Sequence, residues 1–206
     1  MNKELYILRN INITNNKVVC DGRILYSDDP KSDFKVFSRN LYRKLNCSYS
    51  KFFKMDNLCK LTFLANEFIV RDIRLDQYDK EETAVILSNS SSTLNTDKIF
   101  AETIHSIPSP AIFVYTLPNI AIGELSIRTG WKGENLFLVE KSFDPGNLFD
   151  QVALLFASSQ TGLCLTGWTD YISPTDYQAC LWLVTDSPDE KNIKFTPIEM
   201  MNNFSV

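Results

Sequence analysis

One histidine stands in a chain of 206 residues, and that scarcity excludes functions that need two, such as a histidine metal pair or an imidazole relay. His105 precedes Pro108 in a loop and is assigned no role. The cysteines, Cys20, Cys47, Cys59, Cys164 and Cys180, are odd in number and lie singly, with no CxxC pair and no Cys/His ligand spacing. No metal, cofactor or disulfide framework is expected from them. Cys59, Cys164 and Cys180 fall in apolar runs, the pattern of small buried hydrophobes, and free thiols fit a cytoplasmic compartment. Basic charge is not in excess either. A net charge of −4 and a pI near 5.1 give no field for nucleic acid or anionic lipid. No apolar run approaches a membrane span, and the opening MNKELYILRNINIT is polar throughout, without the apolar core of a signal peptide. Repeats are absent, and the serine run near Ser90 is the only low-complexity tract.

What is present is enough apolar residue for one core. With 44% hydrophobic and 22% charged residues, a single domain over 1–206 is expected, with its core at about 55–185 and a polar, exposed tail over 187–206. Leu5 to Ile13 reads as a strand and Cys20 to Tyr26 as a turn with a short strand; Asp28 to Ser32 is a loop. Phe34, Phe37, Leu41 and Leu45 recur at helical steps, and a second helix starts at the N-cap Asp56 and carries Leu58, Leu61, Ala65, Phe68 and Ile69. Thr83 to Leu87 is a buried strand, Asp97 to Ile104 a helix, and Pro118 opens a helix that Gly130 closes. Gly162 to Thr169 and Tyr177 to Thr185 are strands, with a further short one possible over Ile193 to Ile198. The polar tract from Ser88 to Asp97 ends a strand, where ligands of α/β sheets lie, although such a tract also suits a solvated loop. This alternation implies a layered α/β domain with a mostly parallel sheet.

The stretch that organises the chain is ENLFLVEKSFDPGN, Glu134 to Asn147. An apolar run over Leu136 to Val139 meets a polar break at Glu140, Lys141 and Ser142, and a helix opens at Asp144 and Pro145, carrying Leu148, Val152, Leu155 and Phe156. A strand-to-helix turn of this kind lifts one side chain off the sheet into reach of substrate. Here that side chain is Ser142.

From Ser109 to Thr169 the chain resembles the N-terminal half of the β-ketoacyl synthases, thiolase-fold enzymes that condense acyl chains on an acyl carrier protein. The residues that carry the resemblance are PSPAIFVYTLPNIAIGELSIRTGWKGENLFLVEKSFD and LCLTGWTD, with Asn119 and Gly123 on one helix, the Gly130 and Gly133 turns, and Gly167 and Asp170 at the family's spacing beyond Ser142. The resemblance spans about Met55 to Val184. It implies a mixed, mainly parallel five-stranded sheet with helices on both faces. Ser142 takes the place of the family's acyl-carrying cysteine, and the second half of a ketosynthase, with its activating histidines, has no counterpart in these residues.

Two functions follow from the resemblance. The first is a non-catalytic partner similar to a chain length factor, serving fatty-acid, polyketide or polyene synthesis beside a full-length ketosynthase and an acyl carrier protein. The alternative is a serine acyltransferase or thioesterase with Ser142 as nucleophile. The flanking carboxylates of Glu140 and Asp144 disfavour an anion at Ser142. In ketosynthases the strand before the nucleophile meets its two-fold mate, so Leu136, Phe137, Leu138 and Val139 are the expected interface of a homodimer or of a heterodimer with a ketosynthase. Four apolar side chains in a row are too many for a solvated edge.

Overall fold

The computed structural model describes residues 3–105, 107–187 and 192–204. Strand β1 (Tyr6–Thr14) turns back through Asn15 and Asn16, both at positive φ, into β2 (Lys17–Cys20), and Asp21 and Gly22, again both positive, lead into β3 (Arg23–Ser27). Two successive positive φ values give the tight turn that matches strand twist, so both links are antiparallel hairpins. Helix α1 (Phe34–Lys44) is capped by Asp33, whose carboxylate accepts from the Val36 amide at 2.9 Å. Asp56 caps α2 (Asn57–Ile69) in the same way through the Cys59 amide at 2.8 Å.

Strand β4 (Thr83–Asn89) is buried along its whole length and is followed by α3 (Leu94–Ile104), the short α4 (Pro110–Phe113) and α5 (Ile120–Thr129). Gly130 ends α5 at φ 78, the left-handed conformation its place at the C-cap requires. Then come β5 (Asn135–Val139), α6 (Pro145–Ser158), β6 (Leu163–Ser173), β7 (Asp176–Thr185), β8 (Ile193–Lys194) and α7 (Pro197–Phe204).

Among the described residues the strands form one sheet in the order β3-β2-β1-β7-β6-β4-β5, with β8 on the free part of β1. The run from β1 to the β5 edge, β1-β7-β6-β4-β5, supplies the expected five strands, and helices cover both faces. The sheet is nevertheless wider than expected and not mainly parallel. Only β5 and β6 run parallel to their neighbour β4; the other pairings are antiparallel. The reason is local: Pro174 and Thr175 are all that joins β6 to β7, and a two-residue link cannot make a parallel crossover.

One face of the sheet packs α1, α2 and α5 through Phe37, Leu41, Leu61, Leu64 and Leu125; the other packs α6 and α7 through Leu148, Val152, Phe156 and Met200. The end of the chain is therefore not an exposed tail. Over 192–204 it returns to the sheet, with Phe195 and Met200 buried, because the α6 face has apolar area that α6 alone leaves open. Residues 188–191, 205 and 206 of the expected tail lie outside the described residues. At Gly167 (φ 149) the backbones of β6 and β7 approach so closely that a Cβ would lie 2.2 Å from the Cys180 carbonyl oxygen.

Cys59, Cys164 and Cys180 are buried, as their apolar runs predict. Burial pushes all three thiols up, Cys164 from the ordinary 9.0 to about 12. A raised folded-state value means that the unfolded chain loses these protons first, so the associated stability is complete below pH 9 and is lost as pH rises toward the folded values. Urea titrations should give a constant unfolding free energy from pH 7 to about 8.5, then a decline of up to about 1.4 kcal/mol per thiol per pH unit. A flat profile to pH 11 would contradict the burial.

Candidate functional site

Three elements converge where β4 and β5 end. The Glu140 amide donates to the Asn89 carbonyl at 2.8 Å, extending the parallel β4–β5 ladder by one step before the chain leaves the sheet. Ser142 follows, exposed, and none of the described residues hydrogen-bonds to it. It stands two residues ahead of Asp144, the N-cap of α6, rather than within the first helical turn.

Asp144 decides the electrostatics of that turn. Its Oδ1 accepts from the amides of Gly146 at 2.9 Å and Asn147 at 3.0 Å, and Pro145 brings no amide at all. The donors that make a helix N-terminus attractive to an anion are thus occupied by a carboxylate of the chain itself. Glu140 adds a second negative group: Oε1 accepts from Asn147 Nδ2, and Oε2 is buried with no hydrogen-bond partner. A nucleophilic serine needs a base that takes its proton. His105 is exposed at the C-cap of α3, and among the described residues it makes no hydrogen bond to Ser142.

The serine tract after β4 is built as a clasp and not as an open loop. Asp170, carried by β6 and buried, accepts from the Ser90 amide at 3.0 Å, from Ser90 Oγ at 2.6 Å and from Ser91 Oγ. Asn89 and Ser92 exchange hydrogen bonds at 2.9 and 3.0 Å, and Thr93 Oγ1 donates to the Thr116 carbonyl at 2.9 Å. The tract ties β4, β6 and the segment before α5 together, and the hydroxyls of Ser90, Ser91 and Thr93 are taken up by the protein itself. Sequence reasoning had Asp170 only as a spacing match; its pairing with serines some 80 positions earlier has no local signal.

Of the expected interface residues, Leu136 and Val139 are exposed, at 38% and 54%, whereas Phe137 and Leu138 lean onto the two cores, one on each face. Strand β5 is the last of its sheet edge: it pairs with β4 on one side, and no described strand pairs with the other.

The fold as a whole has counterparts among solved structures. The ishigamide ketosynthase/chain length factor superposes with a TM-score of 0.65 at 15% identity, covering 93% of this chain and 64% of that one. The chain has the ketosynthase, thiolase-like fold. A ketosynthase in complex with its chain length factor from Xenorhabdus doucetiae gives 0.59 at 14% identity, covering 89% of this chain and 79% of that one. A type II polyketide acyl-carrier protein in complex with its ketosynthase bound to the hexaketide gives 0.61 at 11%, covering 89% and 62%. The chain thus spans about two thirds or less of two of these ketosynthase-fold chains, 64% and 62% of their length. Their coverage of this chain also takes in more than the Met55–Val184 stretch of the sequence resemblance. No protein-family model and no curated protein matches the sequence. Among the described residues, no single helix is long and apolar enough to cross a membrane.

The Asp170 clasp yields a direct test. Asp170→Asn turns an acceptor toward which three donors point into a group that is partly a donor, and an unmatched buried donor costs about 1–3 kcal/mol. Urea unfolding should show a loss of that size with unchanged m-value, and hydrogen exchange should rise at the amides of 90–93. An unaffected midpoint would show that the clasp contributes nothing.

Proposed function

We propose that the chain is a non-catalytic, chain-length-factor-like partner of a full-length ketosynthase, acting in fatty-acid, polyketide or polyene 3-oxoacyl synthesis on an acyl carrier protein. The observation that carries this reading is the turn at Ser142, the residue that the sequence resemblance aligns with the family's nucleophile: its helix amides are taken by Asp144, a second carboxylate sits two residues away, and no described residue hydrogen-bonds to the hydroxyl. A turn kept in shape without its chemistry suits a subunit that shapes or completes a partner.

The open edge of β5 is where such a partner would join. A strand pairing only on one side presents unpaired amides and carbonyls, and a second strand laid against them extends the sheet from one protein into the other. Leu136 and Val139 would be buried in that junction. The serine acyltransferase or thioesterase reading finds no supporting contact at Ser142.

Two measurements test the proposal. Incubated alone with acyl-carrier-protein thioesters and a malonyl donor, the protein should form no 3-oxoacyl product, and Ser142→Ala should change nothing; steady product formation overturns the reading, and an acyl adduct on Ser142 detected by mass would favour the transferase. Co-expressed with the ketosynthase of its own genome, it should elute as a heterodimer in size-exclusion chromatography with light scattering. Val139→Lys, which buries an unpaired charge at the junction without touching either core, should weaken that association by at least about tenfold. Phe137→Lys and Leu138→Lys would also disturb the fold and are less clean. A protein that remains monomeric at high concentration and binds no ketosynthase contradicts the proposal.

A further inference from the structure

The sheet has a second open edge, β3, at the opposite side from β5. Asp56 at the start of α2 accepts from Thr96 Oγ1 at 2.6 Å, beside the serine tract, so the end of α2 reaches the other end of the sheet, away from Ser142. There the β2–β3 hairpin and the end of α2 enclose a cleft of about 460 Å³. Three arginines line it: Arg9 from β1, Arg23 from β3 and Arg71 just past α2. Two irregularities in strand pairing shape its wall. The register of β1 against β7 shifts between Ile7 and Arg9, and Leu25 is the extra residue where β3 pairs with Val18 and Val19 of β2. Bulges of this kind turn a side chain out of the ordinary alternation.

Arg9 is fixed by half of its donors and has the other half to spare. Nη1 donates to the carbonyls of Ile69, at 3.4 Å, and Arg71, which are acceptors left over at the end of α2. Nε and Nη2 donate no hydrogen bond among the described residues, although Nε lies 3.6 Å from Asp21 Oδ2. That edge of a guanidinium is one that can take two oxygens of an oxyanion side by side. The Arg23 guanidinium has no ion pair or hydrogen bond among the described residues. Arg71 has only Asp72 at 3.9 Å, with both side chains more than half exposed, a pairing worth little. Two of the three cations are therefore without an effective counter-charge.

We propose that this cleft binds a small phosphate monoester, with the phosphate held by Arg9, Arg23 and Arg71 and the organic part against Leu25 and Phe68. A dianion matches the two uncompensated guanidiniums in charge. Its tetrahedral oxygens can also meet donors arriving from three separate elements, whereas the two oxygens of a carboxylate lie in one plane. The volume lies in the range of sites for small organic ligands, and Leu25, 46% exposed, offers an apolar lip beside the arginines. Occupied, the cleft joins the hairpin to the end of α2 through the ligand. This inference does not depend on the ketosynthase partner proposed above.

Phenyl phosphate is the probe, with inorganic phosphate and phenol as its two halves. Titrated calorimetrically into the whole chain in phosphate-free, low-salt buffer, phenyl phosphate should bind saturably and at least about tenfold more tightly than inorganic phosphate, because the ring adds apolar contact. Phenol should not bind. Arg23→Ala and Arg71→Ala, both at exposed positions, should each weaken binding by about tenfold, the loss of a charge-assisted hydrogen bond. Asp21→Asn should act in the opposite direction, tightening binding at least about threefold by removing the carboxylate beside Arg9. That variant keeps the Oδ1 that accepts from the Asn10 amide at 2.9 Å and suits the φ of 48 at position 21. Mere damage to the hairpin would weaken binding in all three variants. Absence of saturable binding, unchanged affinity in both arginine variants, or weaker binding by Asp21→Asn overturns the proposal. Phenyl phosphate that binds no more tightly than inorganic phosphate also overturns it, by reducing the cleft to a place for an adventitious ion only.

Discussion

Both cores rest on one antiparallel pair. Strands β6 and β7 alternate their side chains to the two faces, Leu163, Leu165, Ala179, Leu181 and Leu183 to one and Cys164, Cys180, Trp182 and Val184 to the other. Burial on both faces demands close backbone approach, which Gly167 permits where any Cβ would strike the opposite carbonyl. From this pair the sheet grows in two ways. On one side β1 continues it as antiparallel hairpins; on the other β4 and β5 add the parallel, helix-connected strands whose ends make the site.

The site inherits its character from that junction. Asp170 extends from β6 into the space above β4 and fixes the serine tract, while Glu140 and Asp144 hold the turn after β5. Carboxylates thus do the positioning on both sides of Ser142. In a catalyst the same place calls for donors directed at a developing anion.

The two faces of the sheet solve different problems. The α2 face is closed by long helices with continuous apolar surface. The α6 face is closed partly by a segment from the far end of the chain, whose short helix is pinned by amides on β1 and β7 and by the ring of Phe204. A face closed by so small an element has a lower cost of local opening than one closed by α2. The β5 edge, by contrast, is closed by nothing described, which leaves it as the place where another strand can add.

Much of the local structure was legible because its causes are local. Asp33 and Asp56 cap their helices, Gly130 ends α5 with a positive φ, and the strands Thr83–Asn89 and Asn135–Val139 follow their apolar runs. The strand-to-helix turn at Ser142 was readable for the same reason, whereas the thiolase-like architecture came from a family resemblance over about Met55 to Val184. The strand directions were also encoded locally, in Asn15-Asn16, Asp21-Gly22 and Pro174-Thr175, yet a reading by alternation of elements alone gave a mainly parallel sheet. What the sequence determined by itself is where each element starts, stops and caps, since those choices depend on backbone conformation and hydrogen bonds within a few residues. Only the tertiary structure decided that Asp170 would hold Ser90 and Ser91, that Leu136 and Val139 would face outward while Phe137 and Leu138 turned inward, and that the polar-looking end of the chain would seal the α6 face. Those outcomes depend on which distant surfaces come together, and the free energy of burying them is a property of the assembled layers, not of any one segment.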